Sequence, residues 1–202
     1  MHFLKSSLSF TRFKVVGNFS FAHEDFQKSL IQNSFRDLSE LPDHEESVGW
    51  VSHENCLEEP DLSLMLMEPY IRLTFRLDKR KIPAALLEAH FAIEERATLA
   101  AEGKERLSLN RRRELKRQVK TMLMMRTSPN SSLYRALWNY QSQTCLLFAT
   151  GKGLRNKFDK LFLETFGLEL MPMSPWSLAD EWAKKNNVSE ILQETEPVEF
   201  NE

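Results

Sequence analysis

The chain has 202 residues, 42% of them apolar and 28% charged, with a formal net charge of −2. That is enough chain for one good-sized core, and the composition lies far from the low-hydrophobicity signature of disorder. Two cysteines, Cys56 and Cys145, make neither a disulfide framework nor a zinc cluster and point to a reducing compartment. No stretch approaches the ~18 apolar residues a spanning helix needs, and the N-terminus has no secretory h-region. The expectation is a cytoplasmic chain with no membrane partner, metal or cofactor.

In chain order, Phe3 to Val16 is rich in Phe, Leu and Val with partial alternation, which predicts a first strand ending at Gly17. A helix from Ser20 or His23 to about Leu38 carries Phe26, Leu30, Ile31, Phe35 and Leu38 at helical spacing. Residues 42–61 are acidic and irregular, with Val48-Gly49-Trp50-Val51 as an apolar plug. Leu62 to Met67 and Tyr70 to Leu77 read as strands, the second with one buried face. Pro83 suits the first turn of a helix, predicted over Ala84 to Ala101 and ending at Gly103. Ser108 or Asn110 caps a second helix that runs to about Arg126, where Ser128-Pro129-Asn130 stops it. Leu133 to Tyr140 and Thr144 to Thr150 form a hairpin around Gln141-Ser142-Gln143. A helix from Gly153 to Phe166, a short strand from Leu168 to Met171 and a helix from Trp176 to Lys185 complete the ordered chain. The fold class is α+β: a mixed or antiparallel sheet body with packed helices (1–78 and 128–186), an inserted basic αα-hairpin arm (79–127) and an acidic, flexible tail (187–202).

The charge distribution carries the functional signal. From Lys104 to Arg126 there are nine basic residues and two acids, while nine acids lie between Asp37 and Asp61 and five between Glu190 and Glu202. A basic region with separate acidic margins is the footprint of a polyanion partner, with a solvated helix face as the plain alternative. On the second hairpin helix Leu115, Val119, Met122 and Leu123 share one face, and Arg112, Lys116 and Lys120 recur at four-residue spacing on another. The Phe residues sit at periodic core positions, so contact with duplex phosphates fits better than base stacking. The DNA-binding candidates are Lys79, Arg80, Lys81, Arg112, Arg113, Lys116, Arg117 and Lys120. His44, His53 and Cys56 have poor zinc spacing. Thr150-Gly151-Lys152-Gly153 lacks the full phosphate-loop pattern and reads as a strand-to-helix turn. No catalytic residue is nominated.

The order of landmarks adds to this. A Phe-rich first strand, a short helix, Gly49-Trp50-Val51, a strand leading into Lys81-Ile82-Pro83, a Glu-rich helix, then Leu115-Lys116 with Val119 and Arg126 together resemble the recombination-associated protein RdgC family. The likeness continues through Trp138, Cys145 to Ala149, Lys157 to Phe166 and Leu170-Met171-Pro172 to Glu181-Trp182. Members of that family carry a further C-terminal portion. The resemblance implies a nucleoid-associated, ring-like homodimer that surrounds duplex DNA without sequence preference and restrains RecA-driven recombination. An exonuclease label has also been attached to the family. Two alternatives stand beside this reading: a metal-dependent nuclease using the acids of 37–61, and an interaction module that antagonises a recombinase.

Overall fold

A computed structural model describes residues 8–18 and 22–193. The architecture is α+β, with a seven-stranded antiparallel sheet among the described residues. The strand order is β2-β4-β5-β6-β1-β7, with β3 beside β4; the strands are β1 Thr11–Val16, β2 Glu46–Trp50, β3 Leu66–Met67, β4 Tyr70–Lys79, β5 Asn130–Asn139, β6 Thr144–Leu147 and β7 Glu169–Pro172. The chain divides into two compact units, Met1–Ala22 with Leu66–Leu73 and Arg135–Glu202, and His23–Met65 with Thr74–Tyr134.

In the first unit, period-two alternation sends Phe13 and Val15 of β1 into the core, while Arg12, Lys14 and Val16 take the other face. β1 pairs with β6 (Phe13 opposite Cys145) and with β7 (Val15 opposite Leu170), and β6 pairs with β5 (Trp138 opposite Cys145). Helix α5, Lys152–Phe166, lays Phe158, Leu161 and Phe162 against this inner face. The Trp138 and Phe162 rings meet edge-on at 5.1 Å between centroids, and Phe162 meets Phe166 at 4.8 Å, within the range where aromatic pairs add to simple burial. Helix α6, Pro175–Lys185, starts at a capping box in which Ser174 and Ser177 each bond the other's backbone, with proline in the first turn.

In the second unit, helix α1, His23–Gln32, buries Phe26 and Leu30. Its Gln27 side chain donates to the Pro60 carbonyl and accepts from the Leu62 N–H, which ties α1 to the short helix α2, Leu62–Met65. Trp50 of β2 packs edge-on against Phe75 of β4, and Phe75 stacks on Tyr134. On the opposite side of β4, fully buried Asp78 takes two hydrogen bonds from Arg76, whose guanidinium lies 4.3 Å from the Phe35 ring centroid. That pairing raises the Arg76 pKa against the opposing effect of burial.

Several expectations are corrected. The first strand begins at Thr11, and residues 3–7 of the expected span lie outside the described residues. The first helix ends at Gln32, because Ser34 forms a parallel bridge to Trp50 and the Phe35 N–H donates to the Trp50 carbonyl. The 48–51 plug is most of strand β2, paired in register with β4. Gly49 is required there, since a Cβ would lie 2.4 Å from the Phe35 Cα. Leu62 to Met67 is a helical turn followed by a two-residue strand. The tail expected from Asn187 contains helix α7, Ser189–Gln193, and residues 194–202 lie outside the described residues. The segment expected to be an arm falls within the second unit, together with 23–65.

Candidate nucleic-acid interface

The hairpin forms where local chemistry dictates. Helix α3, Ala84–Glu102, follows Pro83 as its N-cap and ends at Gly103, whose φ of 63° takes the left-handed conformation that glycine adopts without steric cost. Helix α4, Leu109–Arg126, is capped by the Ser108 hydroxyl, which accepts from the Arg111 N–H. Phe91 of α3 and Leu115, Val119, Leu123 and Met124 of α4 are buried.

The geometry of α4 decides what its cations meet. At 3.6 residues per turn, the row Arg112, Lys116, Lys120 lies only ~60° round the helix from the buried row Leu115, Val119, Leu123. It therefore runs beside the seam with α3. Arg112 Nε is 2.9 Å from Glu95 Oε1, Lys116 pairs with Glu88, and both cations lie over the Phe91 ring, at 5.2 and 5.8 Å from its centroid. Lys120 pairs with Glu45, just ahead of β2, and Thr121 Oγ1 donates to Asp43 Oδ1 at 3.2 Å.

The other candidates divide as follows. Arg117 pairs with Glu114 of its own helix at 2.9 Å, and Lys79 lies 4.0 Å from Glu46 on the neighbouring strand. Arg80 is 8% exposed, with its Nε and Nη1 lacking a hydrogen-bond partner among the described residues, so it is no surface contact. Only Lys81 and Arg113 of the eight are exposed and free of an ion pair among the described residues. The basic row read from four-residue spacing is thus interleaved with carboxylates. Two further carboxylates of the hairpin show their pairing in their pKa values. Glu102 is held below the usual glutamate range, chiefly by the Lys104 ammonium and then by Arg111; Glu114 is lowered chiefly by Arg117 and then by Gln118.

The net charge of the region nevertheless stays positive. Residues 79–127 contain thirteen Lys and Arg against six Glu, an excess of seven. Sequence reasoning passed over Arg96, which joins Lys81, Arg106, Arg113 and Arg126 as exposed cations without an ion pair among the described residues. A cleft of about 280 Å³ on the hairpin brings together Arg112, Arg113 and Lys116 beside Phe91, with Glu88 and exposed Leu109 at its edge.

No protein-family model matches the chain, and no curated protein matches it in sequence. Among the described residues, no three His, Cys, Asp or Glu side chains are grouped so as to hold a metal ion. His53 instead shares a 3.0 Å hydrogen bond with Thr74. Cys145 is buried, and burial pushes its thiol pKa far above the ordinary range. Gly151 caps α5 without a side-chain bond, as a strand-to-helix turn does.

Proposed function

We propose that this chain binds double-stranded DNA through its phosphates, without reading sequence, and that the α3–α4 hairpin is the contact element. The observation that carries this reading is the excess of seven positive charges over residues 79–127, with Lys81, Arg96, Arg106, Arg113 and Arg126 exposed and free of ion pairs among the described residues. The glutamates that hold Lys79, Arg112, Lys116, Arg117 and Lys120 do not bar those cations from a phosphate. Exposed ion pairs are weak in water, and a polyanion offers a higher local density of negative charge than one carboxylate. Contact is a two-part process in which free cations engage first and the paired cations then exchange glutamate for phosphate.

Binding as a homodimer and a restraining effect on RecA-type recombination belong to the same proposal, and their support is the resemblance to the RdgC family. The test is an electrophoretic shift with linear and closed circular duplex, run beside a measurement of solution mass. The reading expects equal affinity for unrelated duplex sequences and steep weakening with salt. Absence of a shift at low salt would remove it, and a dimeric mass with retention on circular but not linear duplex would add ring closure.

A further inference from the structure

A second surface, in the other unit, carries different chemistry. On β1, β5, β6 and the start of β4, the residues that alternate away from the core share one face. Phe10 and Tyr70, at 47% and 42% exposure, sit on this face with Arg12, Asn139, Ser142 and Thr144 around a shallow cavity of about 370 Å³. That volume is at the small end of the ~300–1,000 Å³ span of ligand sites. These two large rings, beside Leu137 and Leu146 in the cavity lining, are left partly open to water, while the core of this unit lies on the opposite face with Phe13, Trp138 and Phe162.

The surroundings say what would cover them. Arg12 and Arg135 are exposed and make no ion pair among the described residues. The Asn139 side-chain oxygen accepts from the Gln141 and Ser142 N–H groups of the β5–β6 turn, which leaves its NH2 donors for a ligand. Exposed aromatic faces beside arginine and a few amide and hydroxyl groups are what unpaired nucleobases require: a π surface to stack on, a cation for the flanking phosphate, and polar groups for the base edge.

We infer that this face binds single-stranded nucleic acid by stacking unpaired bases on Phe10 and Tyr70, with Arg12 at a phosphate. The site does not depend on the hairpin. A duplex cannot use it, because paired bases present only their edges in the grooves.

The test is fluorescence anisotropy of labelled oligothymidylate and oligouridylate with the whole chain, beside a labelled duplex. The wild-type chain binds both single strands. The double variant Phe10→Ala/Tyr70→Ala weakens that binding by roughly ten- to a hundredfold per ring removed and leaves duplex affinity unchanged, while Phe10→Tyr/Tyr70→Phe retains it. Reversal of hairpin cations (Lys81→Glu, Arg106→Glu, Arg113→Glu) weakens duplex binding and spares the single strands, so the two surfaces fail separately. No binding of single strands by the wild-type chain overturns the inference, as does equal binding by the ring-free variant. So does a wild-type dimer that the ring-free variant converts to monomer, since a second copy would then be the occupant.

Discussion

The hairpin and the outer sheet face of the first unit differ in how many of their cations end on carboxylates. On α4, Arg111, Arg112, Lys116, Arg117 and Lys120 all end on glutamates, drawn from α3, from the same helix or from the segment before β2. On the sheet face, Arg12 and Arg135 stand without an ion pair among the described residues, while Lys14 pairs with Glu181 at 2.7 Å. The difference follows from geometry. A helix in an antiparallel hairpin has neighbours three and four residues away and a second helix alongside, so a Glu-rich partner meets a basic helix at every turn. A strand's face meets mainly what the adjacent strands place there, and Lys14 finds its carboxylate on helix α6. Density of basic residues in a sequence therefore does not measure the charge available to a ligand.

The comparison can be broken most severely through one aromatic ring on each surface. Phe91→Ala empties a buried position under Arg112 and Lys116 and is expected to cost about 3–5 kcal/mol in chemical denaturation. Phe10→Ala, on the open face, is expected to change stability by no more than ~0.5 kcal/mol. Similar losses for the two would mean that the hairpin seam and the sheet face are not packed as different surfaces.

Next in size is the triple reversal Lys81→Glu, Arg106→Glu, Arg113→Glu, expected to lower duplex affinity on the order of a hundredfold at low salt with the thermal midpoint unchanged. Reversing Arg112, Lys116 and Lys120 instead would set new carboxylates against Glu95, Glu88 and Glu45, so loss of binding there would be confounded with loss of the hairpin. Neutralising the caps acts the other way: Glu88→Gln with Glu95→Gln is expected to raise duplex affinity about three- to tenfold, the scale of breaking exposed ion pairs. Unchanged affinity would show that these glutamates do not compete with phosphate.

A smaller effect concerns pH. Because Glu102 and Glu114 have lowered pKa values in the folded chain, their pairs contribute fully above the ordinary glutamate value of ~4.3 and are lost as pH falls through the lowered folded values. Hairpin helicity followed by circular dichroism should hold from pH 7 to 5 and decline only below that; a decline already between 7 and 5 would contradict the assignment.

What could be read from the sequence was whatever local chemistry fixes. Pro83, Gly103 and Ser108 marked helix ends within one or two residues, because caps and stops act on their own backbone. Strand β2 was missed because Gly49 reads as a breaker until the backbone of Ser34 and Phe35 is seen against it. The apolar run 62–67 is too short for its period to separate helix from strand. In the candidate site, four-residue spacing gave the row Arg112, Lys116, Lys120 but not what lies beside it, and the burial of Arg80 had no local signal. Phe10 was counted among core positions because alternation shows which residues share a face and not which face is covered.

The central claim is that cations of the hairpin neutralise duplex phosphates, and the slope of log affinity against log salt counts those contacts. Five free cations give a slope of about −4.5, and exchange of the five paired ones would steepen it toward roughly −9. The account predicts a wild-type slope in that interval and one shallower by about 2.7 in the Lys81→Glu, Arg106→Glu, Arg113→Glu variant. A wild-type slope near zero, or the same slope in both proteins, would contradict it.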